Sequence, residues 1–204
     1  MQAKPPLAFD GQRIGLLGGS FNPPHDAHRM ISETALRRLD LDAVWWIVTP
    51  GNPLKSHDEL LSQQSRIALS EKLLTNPRII PTGFEAELPS AYTAATLAFL
   101  RHRYGNVRFV WLMGADNLAG FHRWQRWREI AATFPIAIID RPTYRLRAMA
   151  SPAAHALHKH FVPERFAKKL ASRAMPGWTV LTVRLSDLSS TELRRHDKPQ
   201  SVRP

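Results

Sequence analysis

Residues 16–28 of the chain read LLGGSFNPPHDAH, an apolar run followed by two glycines, two prolines and two histidines. The apolar run predicts a buried strand that ends at Gly18 and Gly19 in a tight turn, where the missing Cβ lets a backbone approach a ligand closely. The prolines suit the first turn of a helix, on which His25 and His28 share one face. The positive end of such a helix, with two imidazoles, predicts a phosphate site.

Five further apolar runs follow along the chain and alternate with amphipathic stretches. The predicted strands cover residues 14–17, 44–48, 78–82, 107–113, 136–140 and 179–185, and the predicted helices cover residues 25–39, 65–74, 93–103 and 124–132. This alternation predicts an α/β fold, a Rossmann-like doubly wound parallel sheet with a small helical C-terminal part. The near-continuous apolar strands are typical of a sheet that is buried on both faces.

The carboxyl ends of the predicted strands are the expected location of the site. Segments with glycine, proline or polar residues follow four of the strands, at residues 18–20, 49–53, 114–116 and 140–142. In an open parallel sheet, ligands bind at this edge, where the strand order reverses. Asp116 would either accept a hydrogen bond from a ribose hydroxyl there or cap the next helix, and the sequence leaves both interpretations open.

Composition excludes several classes of protein. The chain has 204 residues, no cysteine and a formal net charge of +11, so disulfide frameworks and thiolate chemistry are excluded. Neither a secretory signal nor a membrane-spanning run of about 20 apolar residues is visible, and we expect a cytoplasmic protein. The charge suits anionic partners, but the absence of a recognisable nucleic-acid motif argues against nucleic acid as the main one.

A second motif lies near the C-terminus, where residues 188–195 read LSSTELRR. Ser189 and Glu192 have the spacing of a capping box, which predicts a helix start and by itself explains both residues. The same helix start presents the hydroxyls of Ser190 and Thr191 and the guanidinium of Arg194. These groups predict a second anion site.

The two motifs together resemble those of the HxGH nucleotidyltransferase superfamily, whose members attack the α-phosphate of a nucleoside triphosphate and release pyrophosphate. The first motif has alanine, Ala27, in place of the family glycine, and the second is similar to the family's ISSTxIR segment. The resemblance implies a sheet of the nucleotidyltransferase type, ATP as a substrate, and Mg²⁺ held through the phosphates with no protein ligand. The implied catalytic residues are His25, His28 and Arg194, and the implied ATP contacts are Gly18, Gly19, Ser20, Phe21, Ser190, Thr191, Gly114 and Asp116.

Three middle segments resemble one branch of that superfamily, the nicotinate-mononucleotide adenylyltransferases. Residues 90–97 (SAYTAATL) are similar to the branch's SYTxxTL segment, residues 113–124 to GxDxLxxFxxW, and residues 140–142 to its arginine–proline pair. The resemblance implies transfer of AMP from ATP to nicotinic acid mononucleotide, giving deamido-NAD and pyrophosphate. The predicted substrate contacts are Asn52, Lys55, Thr93, Trp124 and Arg141, of which Asn52 and Lys55 depend on a loose match to a PPHK-like segment.

The chemistry of the acceptor agrees with two of these contacts. Nicotinic acid mononucleotide carries an electron-poor ring, on which Trp124 would stack from an exposed helix start. Backbone N–H groups beside Thr93 and Trp124, near helix N-termini, would hold its carboxylate. The alternative role for Trp124 is packing, because Trp127 lies three residues further on.

We expect a single domain over residues 1–204, with a core at residues 14–195 and flexible tails at 1–13 and 196–204. One alternative keeps the chemistry and changes the acceptor to nicotinamide mononucleotide or phosphopantetheine. Another is a nucleotide- or RNA-binding module without catalysis, an alternative that is favoured by the net charge of +11. The sequence does not predict the oligomeric state.

Overall fold

The computed structural model describes residues 4–51, 60–90, 92–140, 144–173 and 175–183. Its strands are β1 (Arg13–Gly19), β2 (Ala43–Val48), β3 (Ile79–Thr82), β4 (Arg108–Gly114), β5 (Ile136–Ile139) and β6 (Trp178–Leu181). They form one sheet in the order β3-β2-β1-β4-β5-β6, and every neighbouring pair is parallel. The predicted doubly wound parallel sheet is therefore confirmed.

Helices connect the strands on both faces of the sheet. They are α1 (Asp26–Arg38), α2 (Gln63–Leu73), α3 (Thr93–Arg103), α4 (Ala115–Gly120), α5 (Trp127–Thr133), α6 (Arg145–Met149) and α7 (Pro152–Ala156). 3₁₀ segments cover Phe84–Glu87, Phe121–Arg123, His158–His160 and Glu164–Ser172. Within the described residues no helix is both long and apolar enough to cross a lipid bilayer.

Two predicted boundaries are wrong. The helix predicted from Trp124 begins at Trp127, because Arg126 has a positive φ of 57° that a continuous right-handed helix does not admit. The last strand ends at Leu181 rather than at residue 185. Its ladder with β5 ends where Ile139, the last residue of β5, faces Leu181.

The core lies in two layers, one on each face of the sheet. Leu16, Trp45 and Trp111 point to the face covered by α3, α4, α5 and α7. Leu17 and Trp46 point to the opposite face, which packs against α1, α2 and the 3₁₀ segment Glu164–Ser172. Successive strand residues alternate between the faces, and both faces are apolar because both are covered.

The segment before β1 is hydrogen-bonded to the turn that precedes β4. The backbone N–H of Gly11 donates to the carbonyl of Asn106 (2.9 Å), and the Tyr104 hydroxyl donates to the carbonyl of Pro6 (3.0 Å). These contacts lie at the amino edge of the sheet. At the opposite edge, β1 and β4 are neighbours whose chain continuations cross to different sides, the reversal at which ligands bind.

Candidate active site

His25 and His28 lie at the start of α1, directly after the carboxyl end of β1. His25 is the N-cap, with an extended backbone, and His28 is the third residue of the helix. The centroids of their rings are 3.8 Å apart and the ring planes are tilted by 32°. The structure therefore brings the two predicted histidines together at the positive end of a helix dipole, an environment that favours phosphate.

An aromatic stack supports the histidine pair from below. The Phe21 ring lies parallel to the Trp46 indole, with centroids 4.7 Å apart, and its other neighbour is His28 at 4.8 Å. Phe21 is 1% exposed, so a contact between Phe21 and ATP would have to come from its backbone. Its φ is +47°, a conformation that a bulky residue adopts only where packing holds it.

The orientation of His28 is set by a hydrogen bond at the helix start. The backbone N–H of His25 donates to Nδ1 of His28 at 3.3 Å. Because Nδ1 accepts, this contact selects the tautomer that carries its proton on Nε2. The Nε2–H of His28 is then a donor for an anion.

Ser32 joins α1 to β2 one turn further along the helix. The Trp46 indole N–H donates to the Ser32 hydroxyl (2.7 Å), which donates to the carbonyl of His28 (2.9 Å). Ser32 and Trp46 are fully buried. This short relay fixes the position of α1, and with it both histidines, on the sheet.

The predicted glycine turn is wrong. Gly18 and Gly19 are the last two residues of β1, paired with Ile47 and Val48 of β2, and neither has a positive φ. A Cβ on Gly18 would lie 2.7 Å from Cη2 of Trp111. The absent side chain of Gly18 therefore makes room for a core tryptophan, and the connection to α1 begins after Gly19, at Ser20.

Gly114 and Asp116 follow β4 at the same edge of the sheet. Gly114 is the N-cap of α4, and Asp116 is its second residue, half-buried. Asp116 is therefore not the helix cap, which was one of its two interpretations. Since β1 and β4 are parallel neighbours, the segment with Asp116 and the segment with the histidines lie at the same edge of the sheet.

The predicted helix start at Thr93 is confirmed. Tyr92 is the N-cap of α3 and Thr93 its first residue, and Thr93 is half-buried. The first N–H groups of a helix have no partner within it, so this end presents donors. Beneath it, the Thr96 hydroxyl donates to the buried carboxylate of Glu85, and burial raises the pKa of Glu85.

Trp124 is not at a helix start. It follows the 3₁₀ segment Phe121–Arg123 with an extended backbone, and its N–H donates to the carbonyl of Phe121 at 2.9 Å. That N–H is therefore satisfied within the turn. The indole is half-buried and packs edge-on against Phe121, at 5.5 Å, as Trp127 does at 5.8 Å, and its remaining surface is open to a ligand.

Comparison with known sequences decides the family. The sequence model of the cytidylyltransferase-like family matches residues 16–196. A probable nicotinate-nucleotide adenylyltransferase of Rhizobium meliloti is 56% identical over 181 residues, which cover 89% of this chain and 96% of the relative. A protein of the same name from a Bradyrhizobium strain is 55% identical over 185 residues, covering 91% and 96%. The chain belongs to the nicotinate-nucleotide adenylyltransferase family.

Solved structures agree with the fold of this family. A Plasmodium falciparum nicotinic acid mononucleotide adenylyltransferase complexed with NaAD superposes with a TM-score of 0.66 at 19% identity, over 90% of this chain and 83% of that one. A putative nicotinate-nucleotide adenylyltransferase from Vibrio parahaemolyticus gives a TM-score of 0.55 at 16% identity, over 90% and 85%. At these identities the likeness concerns the fold.

Six of the residues predicted from the family motifs lie outside the described part of the chain. They are Asn52, Lys55, Arg141, Ser190, Thr191 and Arg194. Asp140, just before the arginine–proline pair, is described. It forms a salt bridge of 2.9 Å with Arg145 of α6.

Sequence reasoning about the family motifs missed two polar residues that shape this edge of the sheet. Asn22 is 5% exposed, and its Oδ1 accepts from the backbone N–H of Leu61 at 3.3 Å. Arg66 of α2 is fully buried. The only signal for Arg66 in the sequence is its spacing of four from Ser70, the other buried residue of α2.

Proposed function

We propose that this protein transfers AMP from ATP to nicotinic acid mononucleotide, forming deamido-NAD and pyrophosphate. An oxygen of the mononucleotide phosphate attacks the α-phosphorus in line, and the bond from the α-phosphorus to the bridging oxygen of pyrophosphate breaks. The nucleophile is already an anion, so the step needs no covalent intermediate on the protein. Catalysis then consists of positioning and of stabilising the charge on phosphate oxygens.

The histidine pair is the observation that carries this proposal. His25 and His28 stand at the positive end of α1, beside the reversal between β1 and β4. The Nε2–H of His28 would donate to a phosphate oxygen whose charge grows as pyrophosphate leaves. Donors that are oriented in advance and partly shielded from water stabilise such charge without reorganising. The stacked rings of Phe21 and Trp46 would hold His28 in that orientation.

The acceptor would bind between α3 and the Phe121–Trp124 turn. The first N–H groups of α3, at Thr93, would bind the nicotinate carboxylate, and the indole of Trp124 would stack on the pyridinium ring. With the N–H of Trp124 already bonded to Phe121, the carboxylate depends mainly on α3. The names of the relatives support nicotinate as the acceptor.

We expect a divalent cation to bind together with ATP. Mg²⁺ would be held through the ATP phosphates, as part of the substrate. Ser190, Thr191 and Arg194 would hold the triphosphate. Asn52, Lys55 and Arg141 would contact the mononucleotide.

The test is pyrophosphate release by the purified protein with ATP and Mg²⁺. Nicotinic acid mononucleotide, nicotinamide mononucleotide and phosphopantetheine are offered in parallel, and we expect a strong preference for the first. A preference for either of the others would overturn the acceptor, and release with none of them would overturn the reaction. RNA affinity that falls steeply with salt, without pyrophosphate release, would identify a binding module instead. A cytoplasmic location remains a prediction.

A further inference from the structure

Arg66 is a fully buried arginine that the reaction described above does not use. Its side chain is 0% exposed, and it donates four hydrogen bonds. The acceptors are all backbone carbonyl oxygens: Ser20 at 2.6 Å and Thr49 at 2.8 Å from Nη1, Pro50 at 3.2 Å from Nη2, and Leu61 at 2.8 Å from Nε.

These carbonyls belong to three separate segments of the chain. Ser20 begins the turn between β1 and His25, Thr49 and Pro50 follow β2, and Leu61 precedes α2. A single guanidinium therefore joins the carboxyl ends of two adjacent strands to the next helix. The planar group with its fixed fork of N–H donors defines one relative placement of those segments, which a flexible ammonium would not.

Among the described residues, the groups that balance the charge of Arg66 are carbonyl dipoles. No carboxylate among the described residues lies within salt-bridge distance of it, and burial lowers its pKa. A buried charge is costly unless hydrogen bonds satisfy it. Its loss would leave several buried carbonyls without a donor, and the segments would shift to reach water.

We propose that Arg66 is a positioning residue for adenylyl transfer. It holds the Ser20 end of the turn that carries Phe21 and the histidine pair against the segment after β2, so that both sides of the phosphate site keep one spacing. This inference rests on the proposed function. A displacement of about 1 Å in such a site costs roughly 10²-fold in rate, so the effect belongs in kcat more than in KM.

Arg78 offers a control at the opposite edge of the sheet, because it is an exposed arginine that also donates to backbone carbonyls. Its guanidinium donates to the carbonyls of Leu41 and Asp42, before β2. Arg78→Ala removes an arginine and its carbonyl contacts without touching the strand ends near the histidines. A general need for an arginine that binds backbone carbonyls would lower kcat in both variants, whereas a loss of positioning near the histidines would lower kcat only in the variants of Arg66.

The experiment compares wild type, Arg66→Lys, Arg66→Ala and Arg78→Ala, each shown to be folded at the assay temperature by circular dichroism. We expect kcat to fall by about 10²-fold in Arg66→Lys, with a smaller change in KM for ATP, and to stay within twofold of wild type in Arg78→Ala. Low millimolar guanidinium should restore part of the activity of Arg66→Ala and none in Arg78→Ala. Unchanged kcat in folded Arg66→Lys would overturn the inference.

Amide hydrogen exchange over residues 20–28 tests positioning without turnover. We expect faster exchange in Arg66→Lys than in Arg78→Ala, because residues 20–28 lose their connection to the segment after β2, at Thr49 and Pro50. Equal exchange in the two variants would overturn the inference even if the wild type released no pyrophosphate. Inactive wild type with faster exchange only in Arg66→Lys would support the positioning of this segment and overturn the proposed reaction.

Discussion

The Thr96 hydroxyl donates a 2.5 Å hydrogen bond to Oε1 of Glu85, joining α3 to the 3₁₀ segment after β3. Glu85 is 6% exposed and Thr96 1% exposed. Burial raises the pKa of Glu85 above its usual 4.5, and the hydrogen bond from Thr96 lowers it by less. The start of α3, where nicotinate is expected to bind, therefore lies next to a carboxyl group whose pKa is raised by burial.

Glu85→Gln should change how stability depends on pH. An acid whose pKa is higher in the folded state binds more protons there, so the free energy of unfolding falls as pH rises from the unfolded pKa through the folded one. The loss is absent below about pH 4 and grows above it. Urea unfolding of wild type and Glu85→Gln from pH 4 to 8 should show the wild type losing stability relative to the variant. Parallel curves would contradict the raised pKa.

Substitution of His28 should separate its contact with phosphate from its place in the helix start. His28→Ala removes both, whereas His28→Asn keeps an acceptor near the position of Nδ1 and loses the Nε2–H. Both variants should lose at least about 10²-fold in kcat. His28→Asn should be the more stable of the two, by about 1 kcal/mol in urea unfolding.

The control for this pair is His158→Ala. His158 is exposed and its Nδ1 contacts the carbonyl of His155, so its loss also removes an imidazole and a backbone contact. Its kcat should equal that of wild type. Near-normal turnover in His28→Asn would show that Nε2 of His28 does not assist the reaction.

Gly18→Ala should destabilise the fold through Trp111. The new methyl group would approach Cη2 of the indole to 2.7 Å, and overpacking of this kind costs about 1–3 kcal/mol. Trp111→Phe removes that atom, so the double variant should recover part of the loss. A double-mutant cycle by urea unfolding measures the coupling. Additive effects would mean that the two positions do not compete for space.

Trp124→Ala should raise KM for nicotinic acid mononucleotide by about tenfold, the usual loss when a stacked aromatic side chain is removed, with a smaller effect on KM for ATP. Trp127→Ala is the matched control, because Trp127 is also half-buried and packs edge-on against Phe121. Equal changes in KM for the two variants would show that Trp124 contributes to packing and does not stack on the substrate.

The parts of the fold that follow from local pattern could be predicted from the sequence. The apolar runs of the central strands are near-continuous because the sheet is covered on both faces, and they identified all the strands within the described residues. Proline before His25 and the change of pattern at Thr93 identified two helix starts. In each case the residues that determine the element lie within it or within a few positions of its start.

The parts that depend on distant contacts could not be predicted. The sequence suggests that Gly18 lies in a turn. The structure shows instead that a side chain there would collide with Trp111, which is far away in the sequence. The role of Arg66 depends on carbonyls from three segments. The predicted helix start at Trp124 was wrong because Arg126 has a positive φ, and an arginine in a sequence does not indicate that conformation.

The aromatic rings around His28 give its imidazole protons a distinctive NMR frequency in the protein without nucleotide. The centroid of the His28 ring lies 4.8 Å from that of Phe21, with the two planes tilted by 48°, and 3.8 Å and 5.8 Å from the centroids of His25 and Trp46. Circulating π-electrons of three neighbouring rings shift the resonances of its imidazole protons away from those of a solvated histidine. The frequency of one imidazole proton of His28 therefore reports whether the start of α1 is assembled in the protein without nucleotide.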